Sequence, residues 1–266
     1  MTLATSICLL AIATALACAI PGVFVVLKGD SMLIDGLGHA VLPGIAVGYM
    51  FTHDLSSPWL IVTAALGALA VGLGTQRIAQ SGLIPRDAAL GIIYPALFAA
   101  GVLLISEKFA HVHLDVHAVL VGDLNLVALS SPEYILYLGG IALFNFIFVM
   151  VCLPRLTTST FDNKLLAAPK LHLLFHAAVA VTATAAFQTA GAMLVIALMV
   201  LPAVIARLLT RRVLPMLLVA MLVAIVGSIL GFWGAYHANA ATSAAMTVVY
   251  ALLFIPAVLW YKFARS

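Results

Sequence analysis

Lys28–Tyr49 reads KGDSMLIDGLGHAVLPGIAVGY, an apolar run of membrane-spanning character that carries Asp35 and His39 within it. On a helix, residues four apart share one face a turn apart, so this carboxylate and imidazole point the same way. A carboxylate in hydrocarbon costs from a few kcal/mol upward and persists where it lines a pathway or has a partner. Carboxylate oxygen with imidazole nitrogen is also a ligand set for a divalent transition metal. The plainer alternative is an internal pair that locks helix packing. The rest of the chain reads as scaffold, gate and docking surface for these two side chains.

Composition places that stretch in a bilayer. Of 266 residues, 65% are apolar and 8% charged, and the mean hydropathy is +1.23. A soluble domain carries about 25% charged residues. Cys8, Cys18 and Cys152 all fall in hydrophobic segments without metal-type spacing and read as packing residues. No basic n-region precedes Leu3, so a cleaved signal peptide is not expected.

The chain divides into nine segments near the roughly 20 residues a span requires. They run over Leu3–Leu27 with a kink at Pro21, Met32–Phe51, Pro58–Gly74 (short for a span), Ala88–Ser106 and Tyr134–Leu153. Leu171–Phe187 follows, then, after a Gln-Thr-Ala-Gly break, Ala192–Leu209, Leu214–Tyr236 and Ala244–Tyr261. The expectation is an all-α integral membrane protein: a polytopic helical bundle of eight to ten spans, nine the best count, forming one transmembrane domain over 1–266.

Charge then sets the expected orientation. With nine spans and the N-terminus outside, the inner loops hold Lys28, Arg77, Arg86, Arg155, Lys164, Lys170, Arg207, Arg211, Arg212, Lys262 and Arg265. Only Lys108 falls outside, as the positive-inside rule requires, and the C-terminus is cytoplasmic. The outer loops collect Asp54, Glu107, Asp115, Asp123 and Glu133, with His53, His111, His113, His117 and His237. A face of acids and imidazoles with one lysine attracts cations.

Two loops stand out. The outer Glu107–Glu133 is too polar to span and reads as a short helix lying on the surface. Within it His111 and Asp115, and His113 and His117, are spaced four apart, and with Asp123 they suggest an outer metal vestibule. Interfacial imidazoles in polar surroundings are the plainer account. The inner loop, Pro154–Lys170, opens with a Ser/Thr-rich connection, and Asp162 starts a short helix that Pro169 ends. It suits docking to another protein and equally suits an ordinary surface loop. His172 and His176 read as interfacial packing rather than an exit station, Pro43 and Gly44 as a kink, and Arg207 as an inward-snorkelling anchor.

Absences narrow the function. There is no GxxxxGK[ST] phosphate loop, no GxSxG or HExxH constellation, and no basic–aromatic stripe for nucleic acid. Energy for active transport must come from a partner or a gradient.

GDSMLIDGLGHAVLPGIAVGY resembles the second-helix signature of the metal-ion permeases of bacterial ATP-binding-cassette importers for zinc, manganese and iron(II), where the run looks like GDALSHAVLPG. HLDVHAVLVGDL is similar to that family's outer segment, FDNKLLA to its ATPase-facing loop, and GAMLVIALMVLPAVIARLLT to its late core helix. Here Gly36 and Gly38 replace the commoner Ala and Ser, Lys28 stands where a basic pair is usual, and Ala-Pro replaces a glycine in the ATPase-facing loop.

The resemblance implies a non-enzymatic transport subunit of the bacterial inner membrane, with ATP hydrolysed by separate cytoplasmic ATPase subunits. It implies a homodimer or a pair of related permeases, each offering Asp35 and His39 to one axis. The metal is cargo (manganese or zinc, with iron(II) also open), and no resident cofactor is expected. A metal-loaded binding protein would dock outside, and the ATPases would grip Phe161, Asp162, Asn163, Lys164, Leu165 and Leu166. The rivals are a gradient-driven metal transporter, favoured by an inverted repeat that is not evident, and a membrane enzyme or scaffold, for which no catalytic constellation is present.

Overall fold

Leu3–Leu27 carries no charged residue, and its buried side chains lie all round the helix. A helix apolar on every side belongs inside a bundle rather than on its edge. Its many alanines let neighbouring backbones approach. The computed structural model describes residues 3–53, 59–108, 124–131, 133–161 and 169–263. Among these it contains ten helices and no strand. They are α1 (Leu3–Leu27), α2 (Ser31–Thr52), α3 (Trp59–Gln80), α4 (Arg86–Lys108), α5 (Leu124–Ser130), α6 (Tyr134–Phe161), α7 (Pro169–Ala190), α8 (Ala192–Leu209), α9 (Val213–Ala238) and α10 (Thr242–Phe263). All but α5 are long and apolar enough to cross a membrane, which gives the expected nine spans.

Two groups of helices share the load of packing. α1 is the hub of the larger group and touches α5, α6, α7, α8 and α9, while α10 packs on α8 and α9. In the smaller group α2 packs on α3 and α4. α7 bridges the groups through contacts to α1, α2 and α3. The close crossings depend on glycine. A Cβ on Gly22 would collide with the Met199 backbone carbonyl, which brings α1 against α8. A Cβ on Gly44 would lie 2.5 Å from Ala64 Cα, and one on Gly67 2.9 Å from the Ala40 carbonyl, so α2 and α3 meet backbone to backbone.

Buried polar groups inside the larger bundle are largely paired, the Thr184 hydroxyl on α7 excepted. Asn145 on α6 donates to the Ala17 carbonyl at 3.1 Å and to Thr182 Oγ1 at 2.8 Å, tying three helices together. Tyr250 donates to the Ala224 carbonyl at 2.5 Å and shares a 2.9 Å hydrogen bond with Ser228. Buried polar groups without such partners are costly, and in hydrocarbon no water relieves them.

Three boundaries differ from expectation. α3 is 22 residues, not a short segment ending at Gly74. It continues through a buried Thr75 to Arg77, whose charge suits a helix C-terminus. α6 does not stop at Leu153 but runs through Pro154 to Phe161. The hydroxyls of Thr157, Thr158 and Thr160 donate to the carbonyls of Leu153, Pro154 and Leu156 at 2.7–2.8 Å, so this Ser/Thr run satisfies itself within the helix. The Gln-Thr-Ala stretch stays helical in α7, and the break is Gly191 alone, at φ 78°.

Within the Glu107–Glu133 segment α5 is described, with Leu124 and Ala128 buried and Asn125 accepting from Thr242 at 3.0 Å, while the stretch expected to carry the spaced histidines on a surface helix lies outside the described residues. At one end of the bundle, where α1 ends and α2 begins, the chain places Lys28, Arg77, Arg86, Arg155, Lys170, Arg207, Arg211, Arg212 and Lys262. Among the described lysines and arginines only Lys108 lies at the other end.

Candidate metal site

α2 is the least apolar of the nine spans, and its polar groups are concentrated at Asp35 and His39. They come together as the spacing requires: His39 Nε2 lies 3.7 Å from Asp35 Oδ1. The ring has fixed walls on α4. Tyr94 stacks on it at 5.3 Å between centroids and 19° between planes, and Phe98 meets it edge-on at 5.4 Å and 80°. Nδ1 is buried without a hydrogen-bond partner. That leaves Nε2, on the Asp35 side, as the nitrogen placed for a ligand.

α2 and α4 hold this geometry through small residues. A Cβ on Gly36 would lie 2.8 Å from Leu90 Cδ1, one on Gly38 2.8 Å from Phe187 Cζ, and one on Gly101 2.5 Å from Pro43 Cβ. The two glycines that replace Ala and Ser in the signature therefore admit Leu90 and Phe187. Pro43 sits inside an unbroken helix, braced against α4.

The pair is not sealed. The Asp35 side chain is 41% exposed and that of His39 33%, in the first half of an apolar helix. Beside them α4 is the least buried span and leaves Gly91, Pro95, Ala96, Ala99 and Ala100 uncovered. Among the described residues no three of His, Cys, Asp and Glu converge as a metal cluster. One chain therefore presents a carboxylate oxygen and an imidazole nitrogen side by side on an open face.

Other expected positions fare differently. His111, His113, Asp115, His117 and Asp123, and Asp162, Asn163, Lys164, Leu165 and Leu166, lie outside the described residues. Phe161 closes α6 with its side chain 68% exposed. His176 is buried, edge-on to Phe175 and 3.7 Å from the position a Gly72 Cβ would take, as a packing residue should be. Lys28 Nζ sits 4.6 Å above the Phe175 ring. Arg207 is exposed in the last turn of α8. Tyr94 and Phe98 were not visible as site residues, because nothing in a sequence marks which aromatic of an apolar helix faces a histidine some fifty-five residues away.

Nine helices long and apolar enough to span, the second carrying a half-exposed carboxylate–imidazole pair, define a polytopic membrane protein. The model of the ABC 3 transport family matches residues 2–261, and the chain belongs to that family. It is 30% identical to the "Manganese transport system membrane protein MntD" of Bacillus subtilis (strain 168), over 91% of this chain and 87% of that protein. It is 33% identical to the "Zinc transport system membrane protein TroD" of Treponema pallidum (strain Nichols), over 92% and 71%. With the "Chelated iron transport system membrane protein YfeD" of Yersinia pestis it shares 29% identity over 94% and 82%. A chain of the solved structure "PsaBC from Streptococcus pneumoniae in complex with Fab" has the same fold, with a TM-score of 0.80 at 22% identity over 97% of this chain and 91% of that one. The protein is thus a multi-pass permease of the bacterial inner membrane, and its relatives belong to metal importers whose ATP hydrolysis is the work of a separate ATPase.

Proposed function

We propose that this chain, paired with a second copy or a related permease, lines the pathway of an importer for a divalent transition metal, manganese or zinc and also iron(II), with Asp35 and His39 as its ligands. The observation that carries this reading is the half-exposed pair, with Oδ1 and Nε2 3.7 Å apart on a face that one chain leaves uncovered. Two such faces across an axis bring two carboxylates and two imidazoles to one ion. Their two negative charges offset the ion's two positive ones where solvation is poor. The small residues beside the pair on α4 let two backbones approach. A pathway site must also let go, so it is open and differs from the closed shell of a structural zinc.

The basic end of the bundle is the cytoplasmic one by the positive-inside rule, which puts the N-terminus outside and the C-terminus inside. Cytoplasmic ATPases then dock where α6 ends at Phe161, and a metal-loaded binding protein docks at the opposite end. No metal is held as a resident cofactor.

The test is uptake of Mn(II), Zn(II) and Fe(II) into proteoliposomes holding the permease with its ATPase. ATP-dependent uptake that falls in Asp35→Ala by at least the ~10–100-fold cost of losing a supporting residue supports the reading. Uptake driven by an ion gradient without the ATPase would replace it with the secondary-transporter alternative.

A further inference from the structure

α6 and α7 both pack on α1 but meet each other only lightly, and the space left between them is a groove of about 610 Å³. Its walls run from Leu136 to Asn145 on α6 and from Leu174 to Thr182 on α7. At ~1.5 Å per residue the α6 wall is about 14 Å long, close to half of a hydrocarbon core ~30 Å thick. The groove therefore has the length of one leaflet. It begins near the N-terminal end of α6, away from the basic end of the bundle.

The chemistry of the walls says what the groove takes. Asn145 and Thr182 lie buried at its floor, and their hydrogen bonds are made inside the bundle. Asn145 donates to the Ala17 carbonyl and to Thr182 Oγ1, and Thr182 donates to the Ala178 carbonyl at 2.7 Å. What the groove offers outward is hydrocarbon, with Leu136, Phe144, Leu174 and Val181 all exposed. Gly140 widens it: a Cβ there would meet nothing within 4 Å. Inside a helix that glycine costs stability against alanine, and no neighbouring helix of this chain requires it.

Size separates the possible occupants. A helix with its side chains is about 10–12 Å across, so one lying along this groove would fill roughly twice the space available. A methylene takes up much the same room as a water molecule, roughly 30 Å³, so the groove holds about twenty of them. That is one lipid tail. We propose that the groove seats a single acyl chain of a membrane phospholipid, wedged between α6 and α7 as a fixed part of the protein's packing. The inference is independent of the metal reading.

The end of the groove favours a particular headgroup. Tyr134 and Tyr137 meet edge-on at 6.0 Å in the first turn of α6, where interfacial tyrosines lie at headgroup level. Glu133 is exposed one turn before Tyr137, whose N–H its carbonyl accepts at 3.1 Å, so it stands on the groove's side of the helix. A carboxylate at the mouth attracts an ammonium and repels a headgroup of net negative charge. Phosphatidylethanolamine is therefore preferred to phosphatidylglycerol. Because α7 also bridges to α2 and α3, the chain steadies the contact between the two helix groups.

The experiment is native mass spectrometry of the full-length permease, taken from bilayers of equal phosphatidylethanolamine and phosphatidylglycerol and washed in detergent. Wild type should keep one phospholipid per chain, mostly phosphatidylethanolamine, and its melting temperature should rise when that lipid is added back. Gly140→Trp fills the groove from within without displacing a neighbour. It should lose the retained lipid, melt no lower than delipidated wild type, and stop responding to added lipid. Gly140→Ala, too small to fill the space, should behave as wild type. Glu133→Gln should keep a lipid but lose the preference between the two headgroups. Equal lipid retention in wild type and Gly140→Trp, or none in wild type, would overturn the proposal. So would a Gly140→Trp variant that loses a protein partner rather than a lipid, which would give the groove to a second chain.

Discussion

The α1-centred group and the α2–α4 group are built from the same apolar alphabet but treat polarity in opposite ways. Around α1 most buried polar side chains close on one another, Thr184 on the bridging α7 excepted: Asn145 on Ala17 and Thr182, Tyr250 on Ser228 and Ala224. Around α2 they are left open: Asp35 and His39 half-exposed, His39 Nδ1 and Thr75 Oγ1 without partners. A satisfied network fixes one arrangement, whereas an unsatisfied one is a standing demand for a ligand. On the function proposed above, the larger group is the scaffold and the smaller handles the cargo.

If that contrast is right, damage should sort by group. The largest effect is expected for His39→Ala, which should cut metal uptake by about 100-fold or more while the melting temperature barely moves, since the side chain is a third exposed. A large loss of stability would mean that the pair serves packing after all. Gly22→Val should do the reverse. Its Cβ meets the Met199 backbone, which cannot yield as a side chain would, so stability should drop by about 1–3 kcal/mol with uptake per folded molecule retained. Asn145→Ala should cost about 1 kcal/mol, in the range of hydrogen bonds within membrane bundles. The smallest change is expected for Lys28→Gln, which removes a cation–π contact of about 0.5–1 kcal/mol over Phe175. Thermal unfolding in one detergent orders these three.

The spans and the central pair were legible because a bilayer writes hydrophobicity plainly and makes each intramembrane charge conspicuous. Asp35 and His39 stand out against Ile34, Leu37 and Val41, and their spacing alone predicts their shared face. Helix ends were less legible. Pro154 and the Ser/Thr run after it look like a loop until their hydroxyls are seen bonding back to the helix. Contributions from other helices were not legible at all: Tyr94 and Phe98 are ordinary residues of an apolar helix, and only packing brings them to α2. The glycines at 36 and 38 looked like departures from a pattern and turned out to be clearances for Leu90 and Phe187.

The most direct measurement is the metal content of the purified permease complex, in wild type and in Asp35→Ala with His39→Ala, after each metal is offered in turn, washed and counted by mass spectrometry. The account predicts that wild type retains its preferred ion and the double variant loses it. Equal retention in both would contradict it, remove Asp35 and His39 from the metal's ligands, and return α2 to packing.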